Sequence, residues 1–123
     1  MSKRILVVED NERNRILLRD VLRYYGYEAI EADNGAEGVK KAREHLPDLI
    51  FLDIQMPVMD GFTALKIMKN IPETRNIKVI ALTSFAMIGD KERSLGAGFD
   101  DYISKPIDTR KLPLIVKQYL EDG

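Results

Sequence analysis

Cysteine and tryptophan are both absent from these 123 residues, and there is a single histidine. Without thiols there is no disulfide framework, no thiolate zinc site and no cysteine nucleophile. A chain of this kind suits a reducing compartment. One histidine provides no imidazole cluster for a metal. Excess charge of either sign is missing as well: 19 Lys+Arg oppose 20 Asp+Glu, for a net charge of −1. No basic field therefore draws nucleic acid from solution, and direct nucleic-acid binding is not expected. Nothing approaches the roughly 18 consecutive apolar residues of a membrane span. Met1-Ser2-Lys3-Arg4 leads into a four-residue apolar run, too short for a secretory core. The expectation is a cytoplasmic protein without membrane insertion. What is present suffices for a globular fold, since 45% of residues are hydrophobic and 32% charged. That composition and length fit one domain over 1–123, able to bury about two-thirds of its unfolded surface.

Short apolar runs alternate regularly with longer amphipathic stretches. Ile5-Leu6-Val7-Val8, Leu49-Ile50-Phe51-Leu52 and Val79-Ile80-Ala81-Leu82 are uninterrupted by polar residues, the mark of strands buried on both faces. Tyr27 to Ala32 and Asp101 to Ser104 read as weaker strands. Ile16, Leu17, Val21, Leu22 and Tyr25 predict the apolar stripe of a first helix, stopped by Gly26. A second helix carries Ala36, Val39, Lys40, Ala42 and Arg43 and closes before Pro47. Asp60 predicts the N-cap of a third, carrying Phe62, Leu65, Ile67 and Met68. A fourth is predicted over about Ile88 to Leu95, ended by Gly96 and Gly98. The last runs from near Asp108 to Leu120. Pro113 would break a hydrogen bond inside a helix capped at Asp108, so regular helix should begin close to Pro113, with 109–112 a distorted turn. Five strands alternating with five helices imply a parallel sheet covered on both faces. The flavodoxin-like α/β arrangement, a doubly wound (βα)5 sheet in the order 2-1-3-4-5, is the expected fold.

In such a sheet ligands bind beyond the carboxyl ends of the strands, where the strand order reverses. The first strand ends in Glu9-Asp10, the third in Asp53, the fourth in Thr83-Ser84 and the fifth in Lys105-Pro106. The fold thus brings three carboxylates together, flanked by a hydroxyl and an ammonium. Crowded carboxylates repel one another, and a divalent cation resolves the conflict. An all-oxygen donor set without His or Cys favours Mg2+ over Zn2+, and Mg2+ commonly completes its shell with waters and phosphate oxygens. Metal, ammonium and hydroxyl together address the oxygens of a transferring phosphoryl group. One carboxylate is then the nucleophile, and aspartates do form acyl phosphates. Asp53, at the end of the most buried strand, is the candidate, with Glu9 and Asp10 as metal ligands.

At these residues the chain resembles the receiver domains of two-component response regulators over essentially its whole length. The resemblance rests on Glu9-Asp10, the run Asp53-Ile54-Gln55-Met56-Pro57-Val58-Met59-Asp60-Gly61, Thr83-Ser84, and Tyr102-Ile103-Ser104-Lys105-Pro106. Glu9-Asp10-Asn11 and Ser84-Phe85-Ala86-Met87 look most like DivK-type single-domain regulators and the receivers of hybrid kinases. The resemblance implies that Asp53 accepts a phosphoryl group from a phosphohistidine of a histidine kinase or histidine phosphotransfer protein. It implies Mg2+ held by Asp10, Asp53 and the Gln55 backbone carbonyl, with Glu9 acting directly or through a metal-bound water. Thr83 and Tyr102 would form the switch, Ser84 would leave access to the nucleophile, and Lys105 would pair with the phosphoryl group, placed by a cis bond before Pro106. Asn11, Arg13, Asn14 and Arg15, with Pro106 and Ile107, would meet the phosphodonor.

The surface of the fourth helix, fifth strand and fifth helix would carry the state to a separate effector protein, since only Glu121-Asp122-Gly123 follows the last helix and no output domain is expected. Gln55 and Phe85 occupy positions that tune hydrolysis in the family, and neither is a strong base, so self-dephosphorylation should be slow. The chain would be a signalling phosphoacceptor rather than an enzyme.

Other readings of the same residues are blander. Glu9-Asp10 alone suits a helix start, Tyr102 reads equally as a half-buried strand aromatic, Asp60 as a cap only, and Gly61 as local geometry. His45 reads as a helix C-terminal cation, and Met56, Met59, Met68 and Met87 as packing. A phosphatase of the haloacid dehalogenase type would want a second aspartate where Gln55 stands. A nucleotide binder would want G-x-G-x-x-G or a P-loop, and neither occurs.

Overall fold

The computed structural model describes residues 2–84 and 89–120, with Asp90 described by its backbone alone. Strands β1 (Arg4–Val8), β2 (Glu28–Ala32), β3 (Leu49–Asp53), β4 (Lys78–Thr83) and β5 (Asp101–Ser104) alternate with helices. The helices are α1 (Glu12–Tyr24), α2 (Gly35–His45), α3 (Gly61–Lys69), α4 (Asp90–Ala97) and α5 (Leu112–Leu120). All strand pairs are parallel, and the sheet order is β2-β1-β3-β4-β5. The order reverses between β1 and β3, so the ends of these two strands open one crevice.

The apolar runs are buried on both faces because successive side chains point to opposite sides of the sheet. Ile5, Val7, Leu49, Phe51, Ile80 and Leu82 pack with Leu18 and Leu22 of α1 and Leu112 and Val116 of α5. Leu6, Val8, Ile50, Leu52, Val79 and Ala81 pack with Ala42 of α2 and Ala64, Leu65 and Met68 of α3. Phe62 and Phe99 meet edge to face on that second side, with the Arg93 guanidinium 4.5 Å from the Phe62 ring centroid.

Three helices start on side-chain caps. Asn11 accepts from the Asn14 N–H, Asn34 from Glu37 and Asp60 from Thr63, each satisfying one otherwise unpaired donor of a first turn. Pro113 falls at the start of α5, where a missing N–H costs nothing. Met56 and Met68 are buried and Met59 packs against the same core cluster, whereas Met87 lies outside the described residues.

The stripe predicted for α1 is corrected. Leu18 and Leu22 form its buried ridge, while Leu17 and Tyr25 are 38% and 50% exposed. Positions 18 and 22 are one turn apart and face the sheet together. Tyr25 stands past the last helical residue, where Gly26 turns the chain at φ +90°. In α4, Gly96 is inside the helix and Gly98, at φ 111°, is its left-handed cap; the expected start at Ile88 lies outside the described residues. Among the described residues no helix is long and apolar enough to cross a membrane.

Candidate functional site

The crevice at the reversal gathers residues from the ends of β1, β3, β4 and β5. β3 runs buried to its last residue, which leaves the Asp53 side chain only 1% exposed. Its Oδ1 accepts the Gln55 N–H at 2.9 Å and its Oδ2 accepts Lys105 Nζ at 2.9 Å. Glu9, fully buried just past β1, has Oε1 2.5 Å from the same ammonium. That contact is an ion pair to the ammonium that Asp53 also uses, and among the described residues nothing else donates to Glu9 Oε1. Asp10, next in the chain, is exposed at the mouth.

The backbone delivers Lys105 to this place. The Lys105 N–H donates to the Thr83 carbonyl at 2.7 Å, tying the exit of β5 to the end of β4. Thr83 itself is buried, and Tyr102 is half-buried against the core. The Lys105–Pro106 bond is cis. Gln55 and Ser84 meet across the site: Gln55 Oε1 accepts from Ser84 Oγ at 2.9 Å and from the Ser84 N–H at 3.3 Å.

Electrostatics follow from this crowding. Burial pushes the Glu9 carboxyl up to about 7, with the Asp53 carboxylate adding to the rise and Lys105 opposing it. A buried acid beside a second acid resists ionisation unless more positive charge arrives. Burial disfavours the Lys105 ammonium, yet its bonds to Glu9 and Asp53 and their charges outweigh that, and hold it above its ordinary value.

One carboxylate oxygen from each of Glu9, Asp10 and Asp53 lies within 4.8 Å of the others, close enough to share a cation. These are hard oxygen donors, and the buried Glu9 oxygen has only an ammonium shared with Asp53 to balance it, so they fit Mg2+. Bound there, the ion would neutralise the cluster and polarise a phosphoryl oxygen.

The residues expected to meet a donor sit apart in character. Asn11 and Arg13 are exposed on the first turn of α1, and Pro106 is exposed beside Lys105. Asn14 is half-buried, and Ile107 is buried in the core. Arg15 turns its guanidinium back onto Glu9 and Glu31. Phe85 lies outside the described residues.

Gly61 has a larger part than its sequence context announced. A Cβ there would stand 2.4 Å from the Asp53 carbonyl oxygen and 2.6 Å from the Ile54 Cα. The first residue of α3 thus presses on the peptide that carries Asp53, and only a hydrogen side chain fits. The Asp60-Gly61 pair signals a helix start, but not which backbone the glycine approaches. Gly61→Ala is expected to cost about 1–3 kcal/mol by pushing that backbone away, and to weaken Mg2+ binding by moving Asp53. Thermal melts and metal titration check both, and unchanged values in the two would show that the contact relaxes freely.

The comparisons with known proteins agree with this geometry. The model of the response regulator receiver domain family matches residues 5–117. A polar-differentiation response regulator DivK from Brucella anthropi is 48% identical over 123 residues, covering all of both chains, and one from Brucella ovis is 47% identical over the same span. Among solved structures, the chain resembles the receiver domain of the sensor histidine kinase PA1611 from Pseudomonas aeruginosa, which has magnesium coordinated in its active-site cleft. The TM-score is 0.91 at 33% identity, over 99% of this chain and 100% of that one. The Vibrio cholerae chemotaxis protein CheY4 superimposes with a TM-score of 0.91 at 26% identity, over 98% and 100% of the two chains. With the reversal of strand order, the acidic crevice and a family match running from β1 into α5, the chain belongs to the response regulator receiver domains of two-component signalling.

Proposed function

We propose that the protein is a phosphoacceptor in a two-component phosphorelay, taking a phosphoryl group on Asp53 from a histidine of a kinase or phosphotransfer protein. The observation that carries this reading is the Asp53 carboxylate, buried at the end of β3 and bonded to Lys105, with Glu9 and Asp10 in reach of a shared cation. A carboxylate oxygen of Asp53 attacks phosphorus, the P–N bond breaks, and the histidine nitrogen leaves with the electron pair. The Gln55 N–H, already directed at Asp53 Oδ1, orients the nucleophile. Lys105 exchanges part of its contact with the two acids for the arriving phosphoryl oxygens. Glu9, Asp10, Asp53 and the Gln55 backbone carbonyl would hold Mg2+, which when bound would supply positive charge to the phosphoryl oxygens.

The acyl phosphate carries about −1.5 to −2 charges where the Asp53 carboxylate carried one, a net gain of roughly half to one negative charge, and it places them on three oxygens beside Glu9 and Lys105. Thr83 then turns toward the phosphoryl group and Tyr102 moves inward. The surface formed by α4, β5 and α5 carries the change to a separate effector protein. The match to proteins named as DivK response regulators, along all of both chains, supports a receiver that acts through a partner protein. Asn11, Arg13, Asn14, Arg15 and Pro106 form the side on which the donor docks, whereas Ile107, expected there as well, is packed into the core instead. Gln55, occupied with Ser84, is a poor base for water, and together with Phe85 makes self-dephosphorylation slow.

Incubation with acetyl phosphate and Mg2+ tests the reading. The protein should gain the mass of one phosphoryl group, only in the presence of the metal, and borohydride reduction should map it to Asp53. An unchanged mass with both acetyl phosphate and a panel of phosphorylated histidine kinases would defeat it.

A further inference from the structure

Arg15 has a structural assignment that donor docking does not explain. Its Nη1 donates to the Glu9 carbonyl oxygen at 3.1 Å and its Nε to Glu31 Oε1 at 3.2 Å. The other Glu31 oxygen takes Arg19 Nη1 at 3.4 Å, one helical turn further along α1. The Glu31 backbone carbonyl in turn accepts Lys41 Nζ from α2. Glu31 is therefore gripped from two helices, and Arg15 hangs from it with only 18% of its side chain exposed.

The far end of that guanidinium holds the peptide joining Glu9 to Asp10. The other side of Glu9 is fixed too, because its N–H donates to the Ala32 carbonyl at 3.0 Å as the β1–β2 ladder ends. Two adjacent acids of the cation cluster thus project from a backbone pinned on one side by a strand and on the other by Arg15. Asp10 is exposed at the mouth of the crevice. Its direction depends on the orientation of this peptide.

We propose that Arg15 is a positioning residue for the metal-binding acids: anchored on Glu31, it fixes the Glu9–Asp10 peptide and so the directions of both carboxylates. The proposal rests on the reading that Glu9, Asp10 and Asp53 bind Mg2+. Outer residues that orient metal ligands commonly matter by about 10-fold or more in affinity, and Mg2+ tolerates distorted geometry poorly.

Two opposing effects make the test decisive. Arg15 is a cation close to an acidic site. If it acted only through its field, removing it would tighten Mg2+ binding. If it positions ligands, removing it weakens binding. Isothermal titration of the metal-free full chain with Mg2+ alone, backed by thermal melts to confirm folding, separates these. The expected result for Arg15→Ala is a dissociation constant about 10-fold higher, partly restored in Arg15→Lys, which keeps one donor. Glu31→Gln should move the same way by less. Arg23→Ala, which removes the same charge further along α1, should match the wild type.

Affinity in Arg15→Ala equal to or tighter than wild type overturns the proposal, and so does a lowered melting midpoint with unchanged affinity. Should Arg15→Ala fail to fold, Arg15→Lys and Glu31→Gln decide by the same criterion. Absence of Mg2+ binding in the wild type itself removes the metal reading and this inference with it, a result visible before any variant is made.

Discussion

Asp53→Asn should remain at its unmodified mass under conditions that phosphorylate the wild type completely, while melting as a single cooperative unit. The substitution keeps the volume of a residue that is 1% exposed, and it keeps an oxygen able to accept the Gln55 N–H that now meets Oδ1. What it removes is the carboxylate. An amide is neither the nucleophile for phosphorus nor an anionic ligand for magnesium, so phosphoryl uptake should fall to background and Mg2+ should bind more weakly. Lys105 keeps its ion pair with Glu9, and a buried ammonium left with one acid is still compensated. The cost in stability should therefore be small against the loss of chemistry. Mass spectrometry after acetyl phosphate treatment, with a thermal melt on the same sample, measures both. Phosphorylation of Asp53→Asn at the wild-type rate would mean that Glu9 or Asp10 is the true acceptor.

Much of this site was legible because its residues stand at strand ends, and apolar runs followed at once by acids reveal strand ends in a linear sequence. Glu9-Asp10 and Asp53 each follow an uninterrupted apolar run, and the flavodoxin-like order expected for five alternating strands and helices places those runs side by side. Asp60 was readable as a cap because capping is a local contact, three residues long. Interactions between distant segments were not readable. Arg15 reaches Glu31 across 16 residues and Gln55 reaches Ser84 across 29, and no periodicity encodes either pairing.

The same reasoning explains the two errors of detail in the helices. Choosing Leu17 and Tyr25 over Leu18 for the buried ridge of α1 is a rotation of one position in a segment with three consecutive apolar residues, Ile16-Leu17-Leu18, and the sheet decides which of them turns inward. Gly96 looked like a helix end because glycine is a poor helix former. Gly98, the second of the two glycines expected to end the helix, adopts the left-handed cap and does end α4.

Phe51→Ala should be the most destabilising single truncation in the sheet. Phe51 is fully buried at the middle of β3, the central strand, and is paired in register with Val7 on one side and Ile80 on the other. It packs in the layer shared by α1 and α5, with Leu18, Leu22, Leu112 and Val116. Removing the ring loses its transfer free energy and leaves a cavity that two paired strands cannot close, at about 3–5 kcal/mol. Against a total of about 5–15 kcal/mol for a domain, that is a large share, and the melting midpoint should drop by roughly 10–20 °C. Leu114 is the matched control. It lies on α5 at 67% exposure, so Leu114→Ala should change stability by no more than about 0.5 kcal/mol. The pair separates burial from residue type, because both substitutions delete a large apolar side chain. Asp53 lies two residues beyond Phe51 on the same strand and is also held by the Gln55 N–H and Lys105. Well below its lowered midpoint, Phe51→Ala should therefore still bind Mg2+. Equal midpoints for the two variants would mean that the α1/α5 layer adds little to the stability of the fold. Loss of Mg2+ binding in a Phe51→Ala protein that is still folded would mean that the ring also fixes the direction of the acidic strand end.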